Sequence, residues 1–153
     1  MILFLEDWAK YPTAIPNVKT TNKSWLRLAG LLKSMGVKNH AFPLALHNPD
    51  LIGIDPYSKT LTRPQMLSIV MEAGENPWFF FREIVKLNTS GGMPGMFEAN
   101  RLNIALWWLF FNHITTLGIA CRQIGKSTAI WALDTYILEV SGTHTNIHLL
   151  TKD

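Results

Sequence analysis

The sequence predicts an α/β protein in which a parallel sheet follows a helical N-terminal region. Two stretches rich in β-branched and apolar residues, 114–120 and 145–151, suit buried strands. Residues 129–140 lie between them and carry apolar side chains at helical spacing. The order strand, loop, helix, strand is that of one βαβ unit of a parallel sheet.

Helices are predicted for most of the chain before the first strand. Gly36 is placed to end the first helix, and Thr62 followed by Pro64 reads as the capped start of the second. The aromatic run 78–81 covers nearly every face of its helix, which favours a helix packed on several sides. The predicted helices are residues 24–35, 63–73, 78–87 and 97–111.

Charge divides the 153 residues into two parts. Six basic residues and no carboxylate lie between Asp7 and Asp50, although the net charge of the whole chain is only +3. We therefore predict an accessory basic region at 1–60, and at 61–153 a helical subdomain joined to the βαβ unit. A solvated lysine-rich surface is the ordinary interpretation of the basic region, and contact with DNA or an acidic partner is the alternative.

Several classes of protein are disfavoured by composition. The single cysteine, Cys121, excludes an intramolecular disulfide framework, and residues 1–10 lack the features of a signal peptide. The apolar stretch 104–120 is interrupted by polar residues and falls short of the roughly 20 apolar residues of a membrane span. The five histidines show no metal-ligand spacing. A cytoplasmic protein with no membrane contact is expected.

The loop after the first strand carries a phosphate-binding motif. Residues 120–127 read A-C-R-Q-I-G-K-S and match every fixed position of G-x-x-x-x-G-K-[ST] except the first, Ala120. Gly125 permits a tight turn that aims backbone N–H groups at phosphates, Lys126 reaches the β and γ phosphates, and Ser127 offers its hydroxyl to Mg²⁺. The start of the following helix adds partial positive charge. ATP and Mg²⁺ are the predicted ligands.

The segment Arg122-Gln123-x-Gly-Lys-Ser, without the first glycine, resembles the modified Walker A motif of phage terminase large subunits. The resemblance covers about residues 76–153 and implies a truncated P-loop NTPase sheet of the RecA-like (ASCE) type. It implies catalytic roles for Arg122, at the γ-phosphate, and for Lys126, and it assigns the Mg²⁺ to Ser127. A structural ion pair is the alternative interpretation of Arg122. The implied nucleotide-binding residues are Cys121, Arg122, Gln123, Ile124, Gly125, Lys126, Ser127, Thr128 and Asn103.

Asn103 enters this set because it stands where the family carries a glutamine that reads adenine. An ordinary polar helix residue is the alternative interpretation of Asn103. The resemblance further implies a motor that uses ATP hydrolysis to package double-stranded DNA into a procapsid. Its partners would be a portal protein and a small terminase subunit, in the cytoplasm of an infected bacterium.

The chain lacks an apolar strand that ends in Asp-Glu, the Walker B element that supports Mg²⁺ and activates water. The carboxylates after the motif are Asp134, Glu139 and Asp153. We therefore expect a piece of a motor, completed by a second polypeptide, that binds ATP without steady turnover. The alternatives are another P-loop enzyme, such as a helicase-like ATPase or a kinase, and a non-catalytic interaction module in which G-K-S is incidental.

Overall fold

The computed structural model describes residues 15–88, 92–115 and 125–141, and this part of the chain is mostly helical. A π-helical turn, Phe80–Ile84, directly follows the short helix Pro77–Phe79. Short 3-10 turns occupy Phe42–Leu44 and Pro49–Leu51. The five α-helices are α1 (Lys23–Ser34), α2 (Arg63–Glu75), α3 (Pro77–Phe79), α4 (Arg101–Phe111) and α5 (Lys126–Ser141).

Within the described ranges, four short strands form two antiparallel sheets of two strands each. In the first sheet Ile15 lies opposite Leu46, and in the second Leu87 lies opposite Gly95. The strands are β1 (Ile15–Pro16), β2 (Ala45–Leu46), β3 (Lys86–Asn88) and β4 (Pro94–Met96).

The predicted fold class, an α/β protein with a parallel P-loop NTPase sheet, is wrong for the part of the chain that the structure describes, which contains no parallel sheet. The helix of the predicted βαβ unit is present as α5, but its buried face packs on helices. Tyr136 contacts the rings of Phe80, Phe81 and Phe111. The second predicted strand lies outside the described residues, as does most of the first.

Local signals predict the start of α2 and the end of α1 closely, but not the start of α4. Thr62 caps α2 as predicted, since its Oγ1 accepts from the N–H of Gln65 at 3.4 Å while Gln65 Oε1 accepts from the N–H of Thr62 at 2.9 Å. Gly36 follows α1 with φ +79°, the left-handed conformation that ends a helix. The α4 helix begins at Arg101, later than predicted, because the capping residue is Asn100.

Aromatic side chains form the centre of the main core, as the run at 78–81 predicted. The ring of Trp107 stacks on Phe81 with centroids 4.0 Å apart and on Trp25 at 6.1 Å. Its indole N–H donates to the carbonyl oxygen of Ala129 at 2.9 Å. Because Trp107 belongs to α4 and its partners belong to α1, the π-turn and α5, this side chain fixes the positions of these elements relative to one another.

An ion pair is buried in the π-turn. Arg82 is 0% exposed and donates from Nε to Glu83 Oε1 at 2.8 Å, while Asn17 Nδ2 donates to the same oxygen at 3.2 Å. Arg82 also donates to the carbonyl oxygen of Pro43. Burial lowers the pKa of Arg82, and the charge of Glu83 opposes this shift. The pair ties the π-turn to the residues that flank β1 and β2.

No helix in the described ranges is both long enough and apolar enough to pass through a bilayer.

Candidate phosphate-binding site

A cavity of about 640 Å³ lies where the N-terminal ends of α1, α4 and α5 meet. Residues next to β3 and β4 line its remaining side. Aligned peptide dipoles give each helix N-terminus a partial charge of about +0.5. Three helix N-termini around one cavity therefore favour the binding of an anion. The lining residues from the helices include Lys23, Arg27, Asn100, Asn103, Gly125 and Thr128.

Buried hydrogen bonds hold the start of α1 against the segment that precedes α4. Asn22 Nδ2 and Trp25 Nε1 donate to the carbonyl oxygen of Phe97, at 3.0 and 3.2 Å. Ser24 Oγ accepts from the N–H of Ala99 at 3.3 Å. The α1 wall of the cavity is therefore held by hydrogen bonds to the segment that precedes α4.

Asn103 is buried in the wall of the cavity, and of its two side-chain amide atoms only the oxygen has a hydrogen-bond partner among the described residues. Its Oδ1 accepts from the N–H of Asn100 at 2.9 Å, and Asn100 Oδ1 accepts from the N–H of Asn103 at 3.1 Å, which completes a capping box. Because the Asn100 N–H can only donate, it sets the orientation of the Asn103 amide, with the oxygen toward Asn100. The NH₂ group is left for other partners.

The NH₂ group of Asn103 lies next to the G-K-S motif. Asn103 is 1% exposed, and its Nδ2 has no hydrogen-bond partner among the described residues. A Cβ built on Gly125 would lie 3.9 Å from this nitrogen. A buried donor without a partner costs about 1–3 kcal/mol. An acceptor bound in the cavity would remove that cost.

Gly125 places the start of α5 at the cavity. Its φ of +81° is left-handed, a conformation that costs an L side chain about 1–2 kcal/mol. The carbonyl oxygen of Gly125 accepts the first helical hydrogen bond, from the N–H of Ala129 at 3.0 Å. Because Trp107 also binds the carbonyl of Ala129, the core holds this first turn in place.

The predicted site residues are only partly brought together. Asn103, Gly125 and Thr128 line the cavity, while Lys126 and Ser127 follow in the first turn of α5, partly exposed and exposed respectively. Four further predicted residues lie outside the described part of the chain, so their roles stay predictions. They are Cys121, Arg122, Gln123 and Ile124.

The chain has no match among known protein families, curated proteins or solved structures. The likeness to phage terminases thus has no support beyond the residues that suggested it.

The two basic residues that line the cavity, Lys23 and Arg27 of α1, were not predicted as site residues. They belong to the basic front region and lie about a hundred residues before the motif in sequence. One local signal could have singled them out. The α1 helix begins with Lys23 and has no acidic residue in its first turn, whereas helix starts ordinarily favour negative charge.

The described ranges hold no cluster of three or more histidine, cysteine, aspartate or glutamate side chains able to bind a metal ion. Glu98 is the carboxylate among the described residues that line the cavity. The cavity therefore presents two cationic side chains and one anionic side chain, together with three helix N-termini. This balance favours a ligand with more than one negative charge.

Proposed function

We propose that this chain binds ATP, or a related nucleoside triphosphate, with its phosphate groups in the cavity between the N-terminal ends of α1, α4 and α5. The observation that carries the proposal is the Asn103 amide. It is buried, its orientation is fixed by a capping box, and its NH₂ group has no partner in the described structure and lies beside Gly125 of the G-K-S motif.

The size and charge of the cavity agree with such a ligand. Small-molecule sites enclose about 300–1,000 Å³, and this cavity has about 640 Å³. Phosphate oxygens accept hydrogen bonds and carry negative charge, which suits helix N-termini, lysine and arginine. The exposed Ser127 hydroxyl, in the first turn of α5, is the proposed Mg²⁺ ligand.

The capping box changes the role we propose for Asn103. Reading of adenine by an asparagine uses both amide atoms, one to donate to N7 and one to accept from N6. In this structure Oδ1 is occupied by the Asn100 N–H, so only the donor remains. We therefore propose that Asn103 donates to a phosphate oxygen.

The wider function remains a prediction from the resemblance, which covers about residues 76–153 and is most specific at 120–127. It comprises ATP hydrolysis, the packaging of double-stranded DNA, and a portal protein, a small terminase subunit and a completing polypeptide as partners. The phosphate-binding proposal does not depend on it.

Lys126→Ala tests the proposal. We expect nucleotide affinity to fall at least about 10-fold, because a hydrogen bond to a charged group contributes about 1.5–3 kcal/mol. Isothermal titration calorimetry with a non-hydrolysable ATP analogue and Mg²⁺ measures the change. Lys33→Ala, which removes an exposed lysine in the last turn of α1, is the matched control and should bind like the unmodified chain. Equal affinity for Lys126→Ala and Lys33→Ala would contradict the assignment of the motif.

A further inference from the structure

We propose that Lys23 and Arg27 of α1 bind the phosphate groups of the same nucleotide, so that the basic front region supplies one wall of the site. The inference rests on the proposed function and adds two specific cations to it. It also gives a role to part of the charge that the sequence concentrates before residue 50.

The placement of the two side chains is the first argument. Lys23 and Arg27 are four residues apart on α1, which puts them on one face of the helix. Both are exposed and line the cavity that Asn103 and Gly125 line from α4 and α5. The sequence of the G-K-S motif does not by itself predict that cations from α1 lie at this cavity.

The electrostatics of α1 is the second argument. The first residue of the helix, Lys23, is a cation at a positive dipole end, and the first turn holds no carboxylate. The capping position is Asn22, whose side chain caps no backbone N–H group of α1, because its Oδ1 accepts from the Ser24 hydroxyl at 2.7 Å instead. Neither Lys23 nor Arg27 forms an ion pair with a described carboxylate. A bound polyphosphate would neutralise this concentration of positive charge.

The rigidity of α1 is the third argument. The hydrogen bonds of Asn22, Ser24 and Trp25 hold α1 against the segment that precedes α4. The stacking of Trp25 on Trp107 holds α1 against α4 itself. Cations on a packed helix lose less conformational freedom on binding than cations on a loop, so more of their interaction with phosphate is retained as affinity.

The test compares Lys23→Gln and Arg27→Gln with Lys33→Gln, which removes an exposed lysine from the far end of the same helix. Calorimetric titrations use the full chain with the ATP analogue and Mg²⁺, and with AMP. We expect Lys23→Gln and Arg27→Gln each to weaken binding of the ATP analogue on the order of 10-fold, with a smaller effect on AMP. Lys33→Gln should change neither affinity.

The outcomes separate the two proposals. If the unmodified chain binds no ATP analogue, the proposed function fails. If it binds and all three variants bind equally well, only the role of α1 is overturned. Loss of salt-dependent binding to duplex DNA in Lys23→Gln and Arg27→Gln, with unchanged ATP affinity, would assign these cations to DNA and likewise overturn the inference. Thermal unfolding without ligand should be nearly unchanged in each variant, because all three residues are exposed.

Discussion

Arg82→Met is expected to lower the free energy of unfolding by about 3–5 kcal/mol. The guanidinium group is fully buried and donates to Glu83 Oε1 at 2.8 Å and to the carbonyl oxygen of Pro43. Methionine fills much of the same volume but leaves the buried carboxylate of Glu83 with Asn17 Nδ2 as its described donor. Urea unfolding, followed by tryptophan fluorescence, measures the loss.

A double-variant cycle provides the control for this prediction. Glu83→Gln in the Arg82→Met background removes the uncompensated charge, so part of the lost stability should return. A loss below about 1 kcal/mol in Arg82→Met alone would be typical of an exposed ion pair. That result would contradict the burial of the pair.

Asn103→Asp is expected to weaken nucleotide binding at least about 100-fold, because it removes a hydrogen bond to a charged group and brings a carboxylate toward phosphate. The aspartate retains an oxygen that can accept from the N–H of Asn100, so the capping box survives. Its negative charge in the first turn of α4 is also favourable to the helix dipole. These interactions offset only part of the cost of burying a carboxylate, because Asn103 is 1% exposed, so we expect a lower thermal unfolding temperature together with the loss of binding. Calorimetric titration at a temperature at which the variant is folded measures the loss of binding.

Asn39→Asp is the matched control for this change. Asn39 also has buried side-chain amide atoms without a partner in the described structure, but it does not line the cavity. Its substitution should leave affinity for the ATP analogue unchanged. Similar losses in both variants would indicate a general effect of added negative charge and would count against the phosphate role of Asn103.

Local chemistry was sufficient to predict most of the helices. The cap at Thr62 and the stop at Gly36 depend on residues within a few positions, so sequence determines them directly. The burial of the aromatic run at 78–81 follows from apolar side chains on every face of its helix. Two predicted boundaries are wrong. The α4 helix begins at Arg101, after its capping residue Asn100, instead of at 97, and residues 86–87 belong to β3 instead of to the third predicted helix.

The fold class could not be predicted because an apolar helix face does not specify what covers it. The pattern of α5 fits a helix on a parallel sheet equally well as a helix on other helices. In the structure, Tyr136 and Ala129 of α5 meet aromatic residues of the π-turn and α4, including Trp107. These contacts join residues far apart in sequence, and periodicity carries no information about them.

The candidate site could be predicted only in part, because contacts between residues far apart in sequence bring most of it together. The motif identified Gly125, and the resemblance pointed to Asn103, which the structure places beside it. The donor role of Asn103 depends on the capping box with Asn100, which becomes visible only in the hydrogen-bond geometry. Lys23 and Arg27 reach the cavity through the packing of α1 on α4, a tertiary contact that charge patterning along the chain does not reveal.

The side-chain amide signal of Asn103 in a ¹⁵N-correlated NMR spectrum tests phosphate binding at this cavity most directly. The signal can be assigned by its disappearance in Asn103→Asp. On titration with the ATP analogue and Mg²⁺, the Asn103 amide should shift saturably, and backbone N–H signals should shift most at the starts of α1, α4 and α5. An Asn103 amide that stays unshifted when the chain is saturated with nucleotide, with changes centred on Lys33 and Lys38 instead, would contradict phosphate binding at this cavity.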